Sequence, residues 1–207
     1  SNYFVNKKQN ARAVFISEEN IVLCGNKIVL NLLKKNCKNF KIIYQSKDGK
    51  KMKKNSKILV IEGNGRDILS VERTALNILQ HLSGISTLTS KYCEKVKSSK
   101  SIILDTRKTT PGLRVLEKYA TFTGGAVNHR LNLSERYMIK DNHIQLNSDI
   151  FKKINKMKKI SKDSLIMECD NLIQVKRAII FKIKKILLDN MSLKKIKESC
   201  KLIGKKA

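Results

Sequence analysis

The sequence is poor in several features that would narrow its class. It has one proline, no tryptophan and an aromatic content of 5% in 207 residues. It has no run of 18 apolar residues, and this argues against a membrane-spanning helix. Its first residues, Ser1–Val5, lack the basic-then-apolar pattern of a signal peptide. We therefore predict a cytoplasmic protein that does not contact a membrane.

Closely spaced cysteines are also missing. The five cysteines are odd in number and form no CxxC pair: Cys24, Cys37, Cys93, Cys169 and Cys200. Disulfide frameworks and zinc sites usually show paired spacings. The pattern predicts reduced thiols, with neither disulfides nor a zinc site.

Acidic residues are scarce, since 17 Asp and Glu stand against 44 Lys and Arg, a net charge of +27. Such a charge commonly indicates a nucleic-acid or membrane partner. However, 36 of the basic residues are lysines spread over the whole chain, and six of the eight arginines lie between Arg66 and Arg136. Arginine is the residue that binds carboxylate and phosphate with two parallel hydrogen bonds. We interpret the lysines as solvated surface and the arginines as a pointer to an anion site, with RNA binding as the weaker alternative.

The apolar pattern predicts an α/β protein in two parts. Residues 1–68 have the pattern of a small, sandwich-like α/β domain, with strands at 13–16, 41–44 and 57–61 and a helix at 26–35. A long helix over residues 68–96 carries an apolar stripe and connects this domain to a second one, residues 69–207.

The second domain alternates strands with helices. Four short apolar segments are predicted as strands, at 102–104, 137–140, 165–168 and 186–188. The helices between and after them are predicted at 113–121, 149–162 and 193–203, and Thr110 before Pro111 is predicted to cap the first of these. This alternation is typical of a β/α barrel. Four strands do not close a ring, so we expect an incomplete barrel with an open sheet edge.

Charged groups follow each of the four predicted strands. They are Arg107 with Lys108, then Lys140, Glu168 and Asp189. The carboxyl ends of barrel strands converge on one mouth, which is where such enzymes bind substrates. Several cations beside two carboxylates suit an anionic substrate together with a hydroxylated or Mg²⁺-bearing one.

The chain resembles the quinolinate phosphoribosyltransferase family over nearly its whole length. The motifs that carry the resemblance are Glu72–Asn77, Leu82–Ser86, Leu104–Arg114, Gly124–Gly125, Asn128–Arg130, Ile139–His143 and Leu188–Asn190. The resemblance implies transfer of phosphoribose from phosphoribosyl pyrophosphate (PRPP) to quinolinate, with decarboxylation and with Mg²⁺. The products would be nicotinate mononucleotide, pyrophosphate and carbon dioxide, in NAD biosynthesis.

The resemblance also implies residue roles. The residues implied to bind the two quinolinate carboxylates are Arg107, His129, Arg130 and Lys140. Arg73 would reach the same pocket from the partner subunit of a head-to-tail homodimer, and a higher oligomer is also open. Thr106 and Lys108 would line the site, with Lys108 near the reacting groups.

The two acidic residues complete the implied site. Glu168 and Asp189 would hold the ribose hydroxyls and Mg-PRPP, so that Lys108, Glu168 and Asp189 form the implied catalytic set. Ionised acids there would offset positive charge developing at the anomeric carbon as pyrophosphate leaves.

Two departures from the family pattern carry an expectation. The chain begins after the first helix expected of the family, and it ends before the glycine-rich segments that bind the PRPP phosphate. We therefore expect this chain alone to bind PRPP poorly, to turn over little quinolinate and to need a partner or aggregate. Two alternatives stay open: a paralogue with another acceptor, such as a molybdenum-transport-associated relative, and an inactive chain.

Overall fold

The computed structural model describes residues 3–131, 137–147, 150–156 and 165–207. Contacts divide the chain into two compact units, Ser1–His129 and Arg130–Ala207. The elements of the first unit are β1 (Asn10–Ile16), β2 (Ile21–Val22), α1 (Asn26–Asn36), β3 (Phe40–Gln45), β4 (Lys51–Met52), β5 (Lys57–Asn64), α2 (Gly65–Val96) and α3 (Arg114–Thr123). Those of the second are β6 (Tyr137–Ile139), α4 (Asp141–Leu146), α5 (Ile150–Lys156), β7 (Leu165–Cys169), α6 (Leu172–Ile180), β8 (Lys185–Leu188) and α7 (Leu193–Ile203).

A three-stranded antiparallel sheet organises the first unit. β5 lies in the centre, and β1 and β3 pair with its two edges. Residues 58–61 of β5 are buried because they pack against apolar residues of α1 and α2, including Val29 and Leu33. The three predicted strands and the predicted helix are therefore present. The short strands β2 and β4 form a second sheet that the sequence pattern did not predict.

The strand β5 runs directly into the long helix α2. Asn64 is both the last residue of β5 and the N-cap of α2, because its Oδ1 accepts hydrogen bonds from the backbone N of Arg66 (3.0 Å) and Asp67 (3.4 Å). The helix begins at Gly65, three residues before the predicted start, and its 32 residues make it roughly 48 Å long.

Hydroxyl groups of α2 cover one edge of the segment that contains β2. The backbone N of Val22 donates to Thr87 Oγ1 (2.9 Å), and Ser86 Oγ donates to the carbonyl of Val22 (2.6 Å). Ser83 Oγ accepts from the backbone N of Cys24 (3.0 Å) and donates to its carbonyl (3.1 Å). The helix thus gives this edge the hydrogen bonds that a neighbouring strand would supply.

The segment 102–104 is not the buried strand that its apolar sequence predicts. It forms one parallel bridge, between Leu104 and Val127, with hydrogen bonds from Val127 N to Ile103 O and from Asp105 N to Val127 O. Ile102 and Leu104 are 64% and 48% exposed. Parallel strands become buried when both sheet faces are covered, and one bridge does not provide that cover within the first unit.

The helix after this segment also starts later than predicted. Thr110 to Leu113 form a turn, in which Leu113 N donates to Thr110 O (3.0 Å), and α3 begins at Arg114. Gly112 has φ +79°, a left-handed conformation that a helix cannot include. Thr110 is therefore not the N-cap, and that prediction was wrong.

The glycines after α3 do what the sequence predicted. A Cβ at Gly124 would lie 2.5 Å from the carbonyl oxygen of Ser86 in α2, so only glycine fits this close approach. Gly125 follows with φ +102°, which glycine adopts without strain.

The second unit is built on a parallel sheet in the order β6-β7-β8. Its core contains Ile139, Met167 and Ile183 from the strands and their connections, with Val175 and Ala178 from α6. Three predicted strands are thus present. The predicted helix 149–162 is observed as α5 up to Lys156, and its remainder lies outside the described residues.

The predicted mixed α/β class is confirmed, with a small sheet domain before a parallel α/β domain. One addition is α4, which begins at Asp141, directly after β6. The predicted domain boundary between residues 68 and 69 stays a prediction. Among the helices of the described ranges, none is both long and apolar enough to cross a membrane.

Candidate active site

Residues 105–110, here the cationic loop, follow the Leu104 bridge and carry three predicted site residues. Its backbone is closed on itself, since Lys108 N donates to Thr106 Oγ1 (3.2 Å) and Thr109 N donates to the carbonyl of Arg107 (3.0 Å). Thr106 and Lys108 are exposed, and Arg107 is half-buried. These three groups are therefore presented by a short, internally bonded turn.

Arg107 has an unusual guanidinium. Its Nε atom is buried and has no hydrogen-bond partner in the part of the chain that the structure describes. A buried donor without a partner typically costs about 1–3 kcal/mol. Such a cost is commonly found where a ligand, rather than the protein, completes the hydrogen bonding.

Asp105 ties the cationic loop to the segment that carries His129. Its Oδ1 accepts hydrogen bonds from Lys118 Nζ (2.5 Å) and from the backbone N of His129 (2.7 Å). Its Oδ2 accepts from Thr121 Oγ1 (3.3 Å) and from the side-chain amide of Asn128 (3.1 Å). The side chains of Asp105 and Lys118 are 4% and 2% exposed, so this is a buried ion pair.

Glu117 of α3 holds the other end of the cationic loop. One carboxylate oxygen accepts from the backbone N of Thr110 (3.1 Å), and the other lies 2.9 Å from His81 Nε2 of α2. Burial by itself would raise the pKa of Glu117, but the hydrogen bonds with Thr110 and His81 outweigh it and lower the pKa. Glu117 is therefore held as a carboxylate.

Arg73 lies apart from the cationic loop. It projects from α2 into a cavity of about 530 Å³ in the first unit, which is also lined by the acidic residues Glu18 and Glu19. Within the described ranges, no other predicted site residue of this chain lines that cavity. The structure thus does not join Arg73 to the rest of the predicted set.

In the second unit, Lys140 and Glu168 meet at the ends of neighbouring strands. β6 and β7 pair through Ile139 and Met167, so the next residues, Lys140 and Glu168, lie side by side. Lys140 Nζ is 3.2 Å from Glu168 Oε2. Sequence reasoning placed both residues at one mouth, and the structure brings them together.

Asp189 extends the same row. Glu168 is in register with Leu187 of β8, and Asp189 follows two residues later. Side chains two residues apart in extended backbone share a face, and the ladder continues here because Asp189 N donates to the carbonyl of Cys169 (2.9 Å). The two carboxylates therefore stand on one face at adjacent strand ends.

The cations near this sheet are also held by local contacts. The backbone N of Lys140 donates to Nδ1 of His143 in the first turn of α4 (3.0 Å). Arg130 is buried, and its Nη2 lies 3.4 Å from the sulfur of Met138. Both residues are thus fixed in place by their neighbours on or beside β6.

Two carboxylates are a plausible donor set for a magnesium ion. Mg²⁺ is usually bound by one or two carboxylates together with substrate phosphates and water, and Glu168 and Asp189 fit that arrangement. In the described ranges there is no cluster of three or more His, Cys, Asp or Glu side chains placed to hold a metal by themselves. All five cysteines are free, as predicted.

Sequence reasoning missed Asp105, Lys118 and Glu117 as functional supports. Asp105 offered a weak signal, because it is an acid between a strand-like segment and a cationic turn. Lys118 offered none, since lysine is almost never fully buried unless it is paired.

The two units thus present cations and two carboxylates on turns and strand ends of an α/β protein, the features of an enzyme for anionic substrates. Residues 1–83 match the family described as quinolinate phosphoribosyl transferase, N-terminal domain, and residues 85–207 match its C-terminal domain. The chain belongs to the quinolinate phosphoribosyl transferase family, and the predicted resemblance is confirmed.

Individual relatives agree with this assignment. The chain is 35% identical to the probable nicotinate-nucleotide pyrophosphorylase [carboxylating] of Synechocystis, over 95% of this chain and 67% of that protein. It is 36% identical to the Mycobacterium leprae enzyme of that name, over 73% of this chain and 54% of the relative. The crystal structure of NadC from Streptococcus pyogenes superposes with a TM-score of 0.88 at 35% identity, over 99% of this chain and 73% of that one.

Proposed function

We propose that the chain carries out phosphoribosyl transfer from PRPP to quinolinate with decarboxylation, a pentosyltransferase reaction of NAD biosynthesis. The family match and the names of the relatives support this reaction. The chain spans about two thirds of the Synechocystis protein and about half of the Mycobacterium leprae one, so the activity of the whole enzyme is part of the proposal. The observation that carries it is the buried, unpartnered Nε of Arg107 among the described residues.

Quinolinate is an aromatic ring with two adjacent carboxylates, and it calls for several cations. We assign its carboxylates to four residues, Arg107, His129, Arg130 and Lys140. A guanidinium presents two parallel N–H donors that match the two oxygens of a carboxylate. A carboxylate bound to Arg107 would satisfy its Nε, which makes this residue the best supported of the four.

PRPP brings a ribose with free hydroxyls, a phosphate and a pyrophosphate. We assign the ribose hydroxyls to Glu168 and Asp189, whose carboxylates stand on one face of the sheet. These residues would also hold Mg²⁺ with PRPP, and the bound ion would neutralise charge on the departing pyrophosphate. Thr106 and Lys108, the exposed groups of the cationic loop, line the site, with Lys108 near the reacting groups.

The reaction needs positioning and charge more than acid–base chemistry. The ring nitrogen of quinolinate attacks the anomeric carbon while the bond to pyrophosphate breaks, and the anionic carboxylates of Glu168 and Asp189 offset positive charge at that carbon. In the resulting pyridinium, the bond to a carboxyl group breaks and carbon dioxide leaves. The positive ring nitrogen accepts the electron pair, and a proton then replaces the lost group.

The ion pair between Lys140 and Glu168 bears on this assignment. In the absence of ligand, the ammonium and the carboxylate neutralise each other at 3.2 Å. Lys140 is 45% exposed in its side chain, so a quinolinate carboxylate can approach it from solvent. The proposed partners of both residues are thus ligands that replace one another's charge.

The proposal includes a cytoplasmic homodimer. Arg73 lies in a cavity that, within the described ranges, contains no other predicted site residue of its own chain. This separation supports a role for Arg73 in the site of a partner subunit, as the resemblance implies.

Release of labelled carbon dioxide tests the function. Carboxyl-labelled quinolinate is incubated with the protein and Mg²⁺, with and without PRPP. We expect release only when PRPP is present, and a strong reduction in Arg107→Ala protein. Release that does not depend on PRPP, or no release from folded protein, would contradict the proposed reaction.

A further inference from the structure

The buried ion pair of Asp105 and Lys118 has no part in the substrate roles assigned above. In the described part of the chain, Lys118 is the one lysine whose side chain is buried, and the remaining described lysines are exposed or half-buried. Replacing a buried ion pair by apolar side chains is often neutral or stabilising. Stability alone therefore gives a weak reason for this pair.

The contacts of Asp105 indicate a more specific reason. Its carboxylate accepts four hydrogen bonds, two from α3 and two from the segment at 128–129. Its backbone N also donates to the carbonyl of Val127 (3.3 Å). Three bonds from one residue thus fix the segment that ends in His129.

We propose that Asp105, with its charge compensated by Lys118, is a positioning residue that sets the place of His129 relative to Arg107 and thereby determines affinity for a pyridine dicarboxylate. Arg107 is two residues along the chain from Asp105, and the backbone N of His129 is bonded to Asp105 directly at 2.7 Å. A shift at Asp105 therefore changes the spacing between two groups that are assigned to quinolinate. This inference rests on the proposed function.

Lys118 is essential to the arrangement because of its charge. A carboxylate with 4% exposure cannot be solvated by water and needs a compensating cation. Without Lys118, the carboxylate has to take up a proton or move toward solvent. A protonated acid has a donor in place of one acceptor site, so the bonds to residues 128 and 129 cannot all be kept.

Three variants and one control test the proposal. Lys118→Met removes the compensating charge, and Asp105→Asn replaces one carboxylate oxygen by a donor. Thr121→Val removes one hydrogen bond and leaves the ion pair intact, so it provides a folded variant even if the others unfold. The control is Lys51→Met, because Lys51 forms an ion pair with Glu94 that is exposed to solvent.

The measurements are the quinolinate dissociation constant by calorimetry, the PRPP dissociation constant, and hydrogen exchange of the His129 amide by NMR. We expect quinolinate binding to weaken about 10- to 100-fold in Lys118→Met and Asp105→Asn, since small displacements at a site have effects of this size. A smaller loss is expected in Thr121→Val. Exchange at His129 accelerates in the same order, while PRPP affinity and the Lys51→Met control stay at the wild-type level.

Two failures have different meanings. If the wild-type protein binds no quinolinate, the proposed function fails and this inference fails with it. If the wild type binds quinolinate and the folded variants bind it equally well, the inference alone is wrong. Equal losses of quinolinate and PRPP affinity would also contradict it, because they would indicate a general structural defect.

Discussion

The guanidinium of Arg107 is the residue-scale feature that most sharply defines the candidate site. Its Nε is buried without a partner in the described ranges, and the cationic loop that carries it is bonded at both ends. A lysine at this position would keep the charge but would lose the planar pair of donors.

We predict that Arg107→Lys weakens quinolinate binding by about 1.5–3 kcal/mol, the usual size of a hydrogen bond to a charged group. Calorimetric titration with quinolinate measures this loss. Arg12→Lys is the matched control, because Arg12 is exposed and forms a 3.7 Å ion pair with Glu62 on the sheet. Unchanged affinity in Arg107→Lys would remove Arg107 from the assignment.

Glu117 gives a prediction on pH and stability. Hydrogen bonds lower its pKa below the ordinary value of 4.5. A carboxyl group whose folded pKa is depressed stabilises the protein above its unfolded pKa, and this contribution is lost as pH falls through the folded pKa. The free energy of unfolding should therefore differ between wild type and Glu117→Gln at neutral pH, and the difference should shrink below about pH 4.5.

Urea unfolding at a series of pH values measures this effect. The matched control is Glu62→Gln, since Glu62 lies in an exposed ion pair. A difference between wild type and Glu117→Gln that stays constant from neutral to acidic pH would show that the ionised form of Glu117 is not what stabilises the loop.

At the scale of elements, the junction of β5 and α2 is set by a single side chain. Asn64 accepts from two backbone N–H groups of the first helical turn, which otherwise have no partner inside the helix. Asn64→Ala should therefore lower the free energy of unfolding by about 1 kcal/mol.

Chemical denaturation measures the loss at Asn64. Asn77→Ala is the comparison, because residue 77 is an exposed interior position of the same helix. It should be neutral or slightly stabilising, since alanine has the higher helix propensity. Equal effects at the two positions would mean that the cap does not act as described.

The elements predicted well from sequence are those with a strong local signal. The apolar stripe located α2, and the short apolar runs located β6, β7 and β8. The failures came from longer-range causes. Ile102 to Leu104 look like a buried strand, but burial depends on neighbours that the run itself does not specify. The start of α3 was missed because the left-handed conformation of Gly112 is not visible in the sequence.

The candidate site was predictable in the same uneven way. Lys140 and Glu168 could be paired from their places at strand ends, because parallel strands bring those ends together. The buried partners Asp105 and Lys118 could not, since their pairing joins a turn to a helix 13 residues apart and follows no periodic pattern.

At the scale of the whole molecule, the proposed homodimer makes a prediction that one chain cannot satisfy alone. If Arg73 completes the site of a partner subunit, a hybrid of Arg73→Ala and Lys140→Ala subunits contains one intact site. Each variant alone should be nearly inactive. Mixed in equal amounts and allowed to exchange, they should recover about a quarter of wild-type activity, because about half of the dimers are hybrids and each has one of two sites.

Carbon dioxide release from labelled quinolinate measures this recovery, and native mass spectrometry shows that hybrids have formed. The control mixture combines Arg73→Ala with Arg73→Ala/Lys140→Ala, which offers no intact site in any dimer. Hybrids without recovered activity would place Arg73 outside a shared site.

The hydroxyl groups of α2 along the edge of β2 have a consequence for the behaviour of the molecule in a crowded solution. An uncovered strand edge can recruit a strand from another chain and so begin aggregation. Here Ser83, Ser86 and Thr87 already occupy the N–H and C=O groups of Val22 and Cys24. Two of these hydroxyls lie in the Leu82–Ser86 motif. That part of the family pattern thus also protects the fold against self-association through this edge.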